Sequence, residues 1–165
     1  MKQTSKQILT MIAIVLPLFG LGSAMLAPST AQSIVTYVQT DPLTGLAIAG
    51  MDPGSYFTES APLPGRRDYE FVWKGAPFLF ANPANLEIFS RNPEIYAPRY
   101  GGHGAMSMSR GFVSDADPMI YTVYKQRLYL FYSASNREAF LLAPDAAAIR
   151  GEEHWQVLSK TLSTR

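Results

Sequence analysis

The fold is decided by one stretch of the chain, Tyr69-Glu70-Phe71-Val72-Trp73-Lys74-Gly75-Ala76-Pro77-Phe78-Leu79-Phe80. Aromatic residues alternate with other residues on both sides of Lys74-Gly75, which is the pattern of two antiparallel strands joined by a tight turn. Asn82 and Pro83 follow, and a capping residue before a first-turn proline is typical of a helix start. Phe89 then lies on the apolar face of that helix. The sequence therefore predicts a β-hairpin followed by a helix.

The same pattern returns 51 residues later. Seven identities fall among the nineteen positions from 71 to 89, namely Val72/Val123, Lys74/Lys125, Leu79/Leu130, Phe80/Phe131, Asn85/Asn136, Glu87/Glu138 and Phe89/Phe140. The cap residue Asn82 meets Ser133, which is another good cap. We interpret this as an internal repeat. The alternative is chance similarity, because aromatic strands and capped helices resemble each other for generic reasons.

Two such units predict an α+β fold. Their strands would pair into one small antiparallel sheet, with the Phe89 and Phe140 helices packed against it, because neither hairpin can bury its apolar face alone. A C-terminal helix is expected from about Asp145 to Leu162, broken or kinked near Gly151.

Composition limits the possible functions. The chain has 165 residues, 47% of them hydrophobic, which suits one domain with one core. Beyond residue 31 it carries twelve bases against thirteen acids, so nucleic acid is an unfavourable partner. No cysteine is present, which excludes disulfides, thiolate metal sites and thiol nucleophiles.

The first 31 residues have the pattern of a secretory signal peptide. Lys2 and Lys6 precede an apolar stretch from Ile8 to Leu21, and Ser29-Thr30-Ala31 supplies small residues before a cleavage site. We expect cleavage before Gln32, leaving residues 32–165 as a single exported domain, periplasmic or extracellular. The alternative is a retained N-terminal anchor, although the apolar stretch is short for a membrane span. No second span is expected after it.

Several motifs resemble a known family. The stretch Ala49-Gly50-Met51-Asp52-Pro53-Gly54-Ser55-Tyr56-Phe57 resembles the G-Y-D-P-V-A-Y-F opening of exported bacterial YHS-domain proteins. Further segments follow the family order, namely residues 69–81, the Asn85 and Phe89 helix, residues 93–102 and residues 128–133. The resemblance spans most of residues 46–158 and implies a metal-related role by association. Many relatives read Y-G-G-x-C, whereas this chain has Gly104 at the cysteine position, so no thiolate chemistry carries over.

The loop from Tyr100 to Arg110 is the candidate site. His103, Met106 and Met108 are an imidazole and two thioethers, the soft ligands that copper prefers, especially as Cu(I). Tyr100, Gly101, Gly102 and Arg110 complete a binding loop in which glycine allows close backbone approach. The alternative is that both methionines fill the core and that His103 is hydrogen-bonded or faces solvent.

The sequence contains no catalytic signature. It has two histidines and none of the G-x-S-x-G, H-E-x-x-H, P-loop or G-x-G-x-x-G motifs, so we expect no enzymatic activity. Two functions remain open. One is an exported small module that binds a metal ion, with copper favoured. The other is an interaction domain without a metal, which uses its aromatic sheet face on an envelope protein partner.

Overall fold

The computed structural model describes residues 35–164. Its elements are α1 (Ser55–Thr58), β1 (Arg66–Trp73), β2 (Ala76–Phe80), α2 (Pro83–Arg91), α3 (Pro93–Tyr96), α4 (Ala105–Ser109), β3 (Asp117–Tyr124), β4 (Arg127–Phe131), α5 (Ala134–Leu141) and α6 (Pro144–Leu158). Short 3₁₀ turns lie at Ile48–Gly50, Arg99–Gly102 and Ser159–Thr161. The α+β class and the C-terminal helix predicted from the sequence are confirmed.

The two hairpin-helix units are also confirmed, and their backbones match closely. β1 and β3, like β2 and β4, begin and end 51 residues apart, and both hairpins share one pairing register with an irregularity at the same place. Their turns place Lys74 and Lys125 at φ 47° and 48°. Asn82 and Ser133 each cap the following helix by accepting a hydrogen bond from the backbone N–H three residues later.

The pairing between the two units differs from the predicted single sheet. In residues 35–164 the four strands form two separate two-stranded antiparallel sheets, β1-β2 and β3-β4. At Pro77, the backbone of β2 is hydrogen-bonded to the residue before the first 3₁₀ turn and not to another hairpin. The Ala47 N–H donates to the Pro77 carbonyl at 2.9 Å. A lone hairpin is marginally stable. Each hairpin here is therefore stabilised by its helix and by side-chain packing.

The interior has two apolar clusters, with β4 between them. Leu128 and Leu130 on one face of β4 join the first cluster, which contains Phe78, Phe80 and Phe89. Tyr129 and Phe131 lie on the other face of β4 and join the second cluster. The other members of this cluster are Tyr100, Ala105, Met108, Phe140, Ala147 and Trp155. Successive strand residues point to opposite faces, so a strand buried on both faces serves two clusters.

The C-terminal helix α6 is continuous through Gly151, so the predicted break there is wrong. Gly151 is buried, and a Cβ atom at this position would lie 2.5 Å from the Tyr100 hydroxyl oxygen. That hydroxyl donates to the Ala148 carbonyl at 3.0 Å. The glycine is therefore needed for close packing of Tyr100 on the helix and not for a kink.

Two further points concern the N-terminal part. The predicted signal peptide and its cleavage site lie outside the described residues. Within residues 35–164, no helix has the length and apolar character needed to cross a membrane.

Candidate ligand cleft beside His103

The repeat extends to a pair of unusual turns that precede the hairpins. Each turn has three consecutive residues with positive φ, Ile48 to Gly50 at 44°, 51° and 77° and Tyr100 to Gly102 at 57°, 63° and 88°. Extended backbone follows each turn, at Met51 and at His103. A positive φ is a rare conformation for Ile48, whose side chain is β-branched. Such strain persists only where the surrounding structure imposes it, and it is frequent at binding sites.

The second turn is held against the N-terminal segment. Gly101 has φ 63°, and a Cβ atom there would lie 1.8 Å from the Tyr37 carbonyl oxygen, so only glycine fits. The Gln39 N–H donates to the Gly101 carbonyl at 2.8 Å. The Gln39 side chain also holds Ala116, because its amide donates to the Ala116 carbonyl at 3.1 Å and accepts from the Ala116 N–H at 2.9 Å. The segment before the first turn is thus joined to the second unit.

These contacts border a cleft of about 540 Å³ to which both turns contribute. We call it the interturn cleft, and its lining comprises residues 35–36 and 39–42, Gly45, Ile48, Ala49, Gly102, His103, Asp115, Ala116, Pro118 and Leu130. Its volume is in the range of pockets that hold small organic ligands, about 300–1,000 Å³. The turns of the two repeat units therefore meet at one site-sized space.

His103 is the buried polar residue of the cleft wall, with 3% of its surface exposed. Its Nε2 lies 2.9 Å from the Thr36 carbonyl oxygen. A carbonyl oxygen only accepts, so Nε2 carries the proton and the neutral ring has a lone pair at Nδ1. No described residue donates a hydrogen bond to Nδ1. An unpartnered buried polar atom is costly, and in a native structure it calls for a functional explanation.

The electrostatic environment keeps His103 neutral. Burial lowers its pKa below the usual 6.5, against the opposing effects of the Thr36 carbonyl, the Asp115 charge and the Ser114 carbonyl. The Ser114 carbonyl therefore lies beside the imidazole ring, and Ser114 is not one of the residues that line the cleft. At neutral pH the ring therefore offers an acceptor and not a second donor.

Two carboxylates lie at the same cleft. The three hydrogen bonds to Asp41 from the Leu43 N–H, the Thr44 N–H and the Thr44 hydroxyl all reach Oδ1. The hydroxyl and N–H of Thr44 keep the pKa of Asp41 below its usual value, so it is ionised near neutral pH. Asp115 is exposed, and its carboxylate neither accepts a hydrogen bond nor forms an ion pair among residues 35–164.

The structure separates the predicted copper ligands. His103 lies at the cleft, whereas Met108 is fully buried in the second apolar cluster and Met106 is partly buried beside that cluster. Both methionines are in α4, two residues apart, and residues at this spacing do not share a helix face. Among residues 35–164, no group of three or more His, Cys, Asp or Glu side chains has a geometry that could hold a metal ion.

The other loop residues have different roles. Gly102 lines the cleft, Gly101 allows the contact with Tyr37, and Tyr100 packs on α6. Arg110 is exposed after the end of α4. A Cβ atom at Gly104 would lie 2.6 Å from the Ser114 hydroxyl oxygen, so a side chain at this position would require Ser114 to move.

The aromatic strand face, considered above as an interaction surface, contributes to the interior instead. Its side chains pack against the first apolar cluster, and they are Tyr69, Phe71 and Trp73. Phe89 of α2 meets two of these rings edge-on, with centroids 6.1 Å from Phe71 and 6.4 Å from Trp73. The apolar residue of β1 that remains clearly exposed is Val72.

Three residues of the cleft were not predicted from the sequence, namely Gln39, Asp41 and Asp115. Asp41 lies in a Pro-Leu-Thr-Gly turn and Asp115 in a linker, 74 positions apart, and nothing local connects them. A signal for the paired turns does exist. Shifted by 52 residues, Gly50 aligns with Gly102 and Ser55 with Ser107. The turns repeat at a spacing of 52 residues, whereas the hairpins repeat at 51. Because of this one-residue difference, a single shift of the sequence does not align the turns and the hairpins together.

Comparison with known proteins identified no relative. No family model matches the chain, and neither a curated protein nor a solved structure matches it. The resemblance to exported YHS-domain proteins therefore stays a prediction.

Proposed function

We propose that this protein is an exported, non-catalytic binding module that holds a small ligand in the interturn cleft. Export is supported by the charge and apolar pattern of residues 1–31. Ligand binding is supported by a cleft of suitable volume between two strained turns. The function is assigned to the site and not to the fold, because a fold alone does not determine function.

One observation carries the proposal, namely the cleft of about 540 Å³ that the two strained turns border, with buried His103 in its wall. The Thr36 carbonyl fixes the imidazole ring of His103 through Nε2, so the orientation of this ring at the cleft is set before a ligand arrives. Binding would hold the two strained turns in place.

A non-catalytic role is supported by the surroundings of the same imidazole. A histidine that activates a nucleophile is hydrogen-bonded to a hydroxyl or thiol and oriented by a third group. Here Nε2 is bonded to a backbone carbonyl, and no hydroxyl among the described residues is hydrogen-bonded to either ring nitrogen. Among the described residues, the imidazole therefore lacks the hydroxyl or thiol partner of a catalytic base.

A soft metal ion such as Cu(I) is the second candidate ligand, because an imidazole lone pair is a metal ligand as well as a hydrogen-bond acceptor. Nδ1 of His103 is the one observation in its favour. The separation of Met106 from Met108 makes a three-ligand loop site less favourable than a cleft for an organic ligand.

The test is an NMR screen of the purified protein with fragments from several chemical classes and, under anaerobic conditions, with Cu(I). We expect at least one probe to give saturable shifts of the Gln39, Gly102 and Ala116 amides, and His103→Gln to weaken that binding about tenfold. The matched control is His154→Gln, because His154 contacts the Met108 carbonyl and does not line the cleft. Absence of cleft shifts with every probe would overturn the proposal. Cu(I) binding that needs His103 and Met106 would instead favour the metal function.

A further inference from the structure

We propose that two copies of this chain associate through the free edge of β3, with the two strands antiparallel and centred on Thr122. In residues 35–164, β3 pairs with β4 alone, so its second edge has no strand partner. The inference is independent of ligand binding in the interturn cleft. Three features of the edge lead to it, namely the direction of its backbone groups, its lack of charge and the charges at its two ends.

The backbone groups of Tyr121 and Val123 point to the free edge. The two-residue turn at positions 125–126 has positive φ at both residues, which makes Tyr124 and Arg127 a hydrogen-bonded pair. Hydrogen-bonded pairs alternate along an antiparallel ladder, so Tyr121 and Val123 do not exchange hydrogen bonds with β4. Their N–H and C=O groups therefore face outward, where no backbone group of residues 35–164 bonds to them.

The first hairpin supports this alternation independently. Pro77 pairs with Val72 of β1, which is the position equivalent to Val123 of β3. Proline has no N–H, and the Pro77 carbonyl accepts a hydrogen bond from Ala47, outside the hairpin. The two residues of this pair are thus not hydrogen-bonded to each other. The equivalent groups of Val123 are likewise free to bond to another strand.

The equivalent edges of β1 and β3 differ in charge. β1 has Asp68 and Glu70 among its exposed residues, and charged side chains on an edge strand oppose pairing with another chain. Met119 and Tyr121 stand at the equivalent positions of β3, 51 residues later. Residues 118–124 contain no charge and include several residues with high β-propensity. The edge of β3 therefore lacks the charges that keep β1 unpaired.

The charges at the two ends of β3 favour a second copy as the partner. Asp115 and Asp117 lie just before and at the start of the strand, whereas Lys125 and Arg127 lie at its turn. Neither acid forms an ion pair within residues 35–164, and the Lys125 side chain stays exposed beside Asp145. Antiparallel pairing brings the acids of one copy near the bases of the other, whereas parallel pairing would bring like charges together. The strand is thus complementary to itself.

The free backbone groups define the pairing register. Centring the pair on Thr122 places Tyr121 opposite Val123 of the second copy, so both residues of each strand donate and accept. Thr122 then faces its counterpart, and Thr–Thr pairs on neighbouring strands are favourable. The irregularity between Asp117 and Tyr121 ends the regular ladder at Tyr121. Because the contact is short, we expect a weak dimer, with a Kd of about 100 μM.

The experiment measures the mass of the purified protein by sedimentation equilibrium, at concentrations up to about ten times the expected Kd. We expect a monomer–dimer equilibrium that Val123→Pro weakens by about tenfold or more. Proline removes an N–H that the hairpin does not use, so β3 and β4 keep their own hydrogen bonds. The matched control is Val72→Pro, the same substitution at the equivalent position of β1, which should leave the dimer unchanged.

Hydrogen exchange of the unsubstituted chain tests the same edge, and it decides the matter if Val123→Pro fails to fold. The Tyr121 and Val123 amides should exchange more slowly as the protein concentration rises, whereas the Glu70 and Val72 amides should not. A monomer at every concentration, equal weakening by both proline variants, or concentration-dependent protection of β1 would overturn the inference. Protection of Tyr121 and Val123 that is independent of concentration would also overturn it, because another segment of the same chain would then cover the edge.

Discussion

The two repeat units share a backbone but differ at the two residues that follow their strained turns. In the first unit these residues are Met51 and Asp52, and in the second they are His103 and Gly104. Both units then form the same backbone contact to the next loop, since the Asp52 N–H donates to the Leu63 carbonyl at 2.8 Å and the Gly104 N–H to the Ser114 carbonyl at 3.0 Å. The difference between the units is therefore one of side-chain chemistry on a common frame.

The buried polar group of the first unit is satisfied within the protein. Asp52 is fully buried, and its carboxylate accepts hydrogen bonds from the Gly54 N–H at 2.8 Å, the Ala81 N–H at 2.9 Å and the Asn85 amide at 2.6 Å. The buried imidazole of the second unit has one hydrogen-bonded nitrogen and one nitrogen without a partner among residues 35–164. The buried polar group of the first unit therefore stabilises the fold, whereas His103 of the second unit belongs to the proposed binding site.

The largest effect is expected from Asp52→Ala, which leaves three donors on partly buried residues without their acceptor. We expect a loss of about 4 kcal/mol in the free energy of unfolding, measured by urea denaturation. Asp52→Asn keeps one acceptor oxygen and should lose less. The exposed Asp115→Ala should change stability by under about 0.5 kcal/mol. A loss of less than about 1 kcal/mol for Asp52→Ala would contradict the structural role of the first unit.

A smaller effect should distinguish the equivalent helix residues Phe89 and Phe140, which are both fully buried. Phe89 lies close to four aromatic rings, whereas Phe140 lies close to two. An aromatic pair contributes about 0.5–1.5 kcal/mol beyond its buried area. Phe89→Leu should therefore cost about 1–2 kcal/mol more than Phe140→Leu in urea unfolding. Equal losses would show that the two clusters are energetically equivalent.

The smallest effect is the pH dependence of stability from His103. Its pKa is lower in the folded protein than in the unfolded chain, so the unfolded chain binds more protons in the window below about pH 6.5. Stability should be independent of this group above pH 6.5 and should fall as the pH decreases through the folded pKa, by at most about 1.4 kcal/mol per pH unit. In His103→Gln this component of the slope should vanish between pH 5 and 7, while His154→Gln should retain it. Equal slopes in the wild type and His103→Gln would show that His103 is not the titrating group.

Much of the secondary structure was predictable from local sequence patterns. The hairpins follow from alternation of aromatic residues around Lys74-Gly75 and its equivalent, and the helices follow from the caps Asn82 and Ser133. The single sheet was predicted wrongly, because the pairing of separate hairpins depends on what covers each strand edge. The continuity of α6 at Gly151 was also missed, since the packing partner Tyr100 lies 51 positions away.

The candidate site was predictable only in part. His103 was identified from its type and its glycine-rich surroundings. The spacing of Met106 and Met108 favoured a common loop, but the short helix α4 turns them to different faces. The acids Asp41 and Asp115 carried no local signal for a shared cleft.

The sequence by itself determined the α+β class, the repeated hairpin-helix units and their capped helices, because these depend on residues close together in the chain. Only the tertiary structure decided that two strained turns face one cleft and that Gln39 joins Ala116 across 77 positions. It also decided that, within the part of the chain that the structure describes, one ring nitrogen of His103 is hydrogen-bonded and the other is not. These features depend on contacts between distant segments, and such contacts form only when the two apolar clusters bring those segments together.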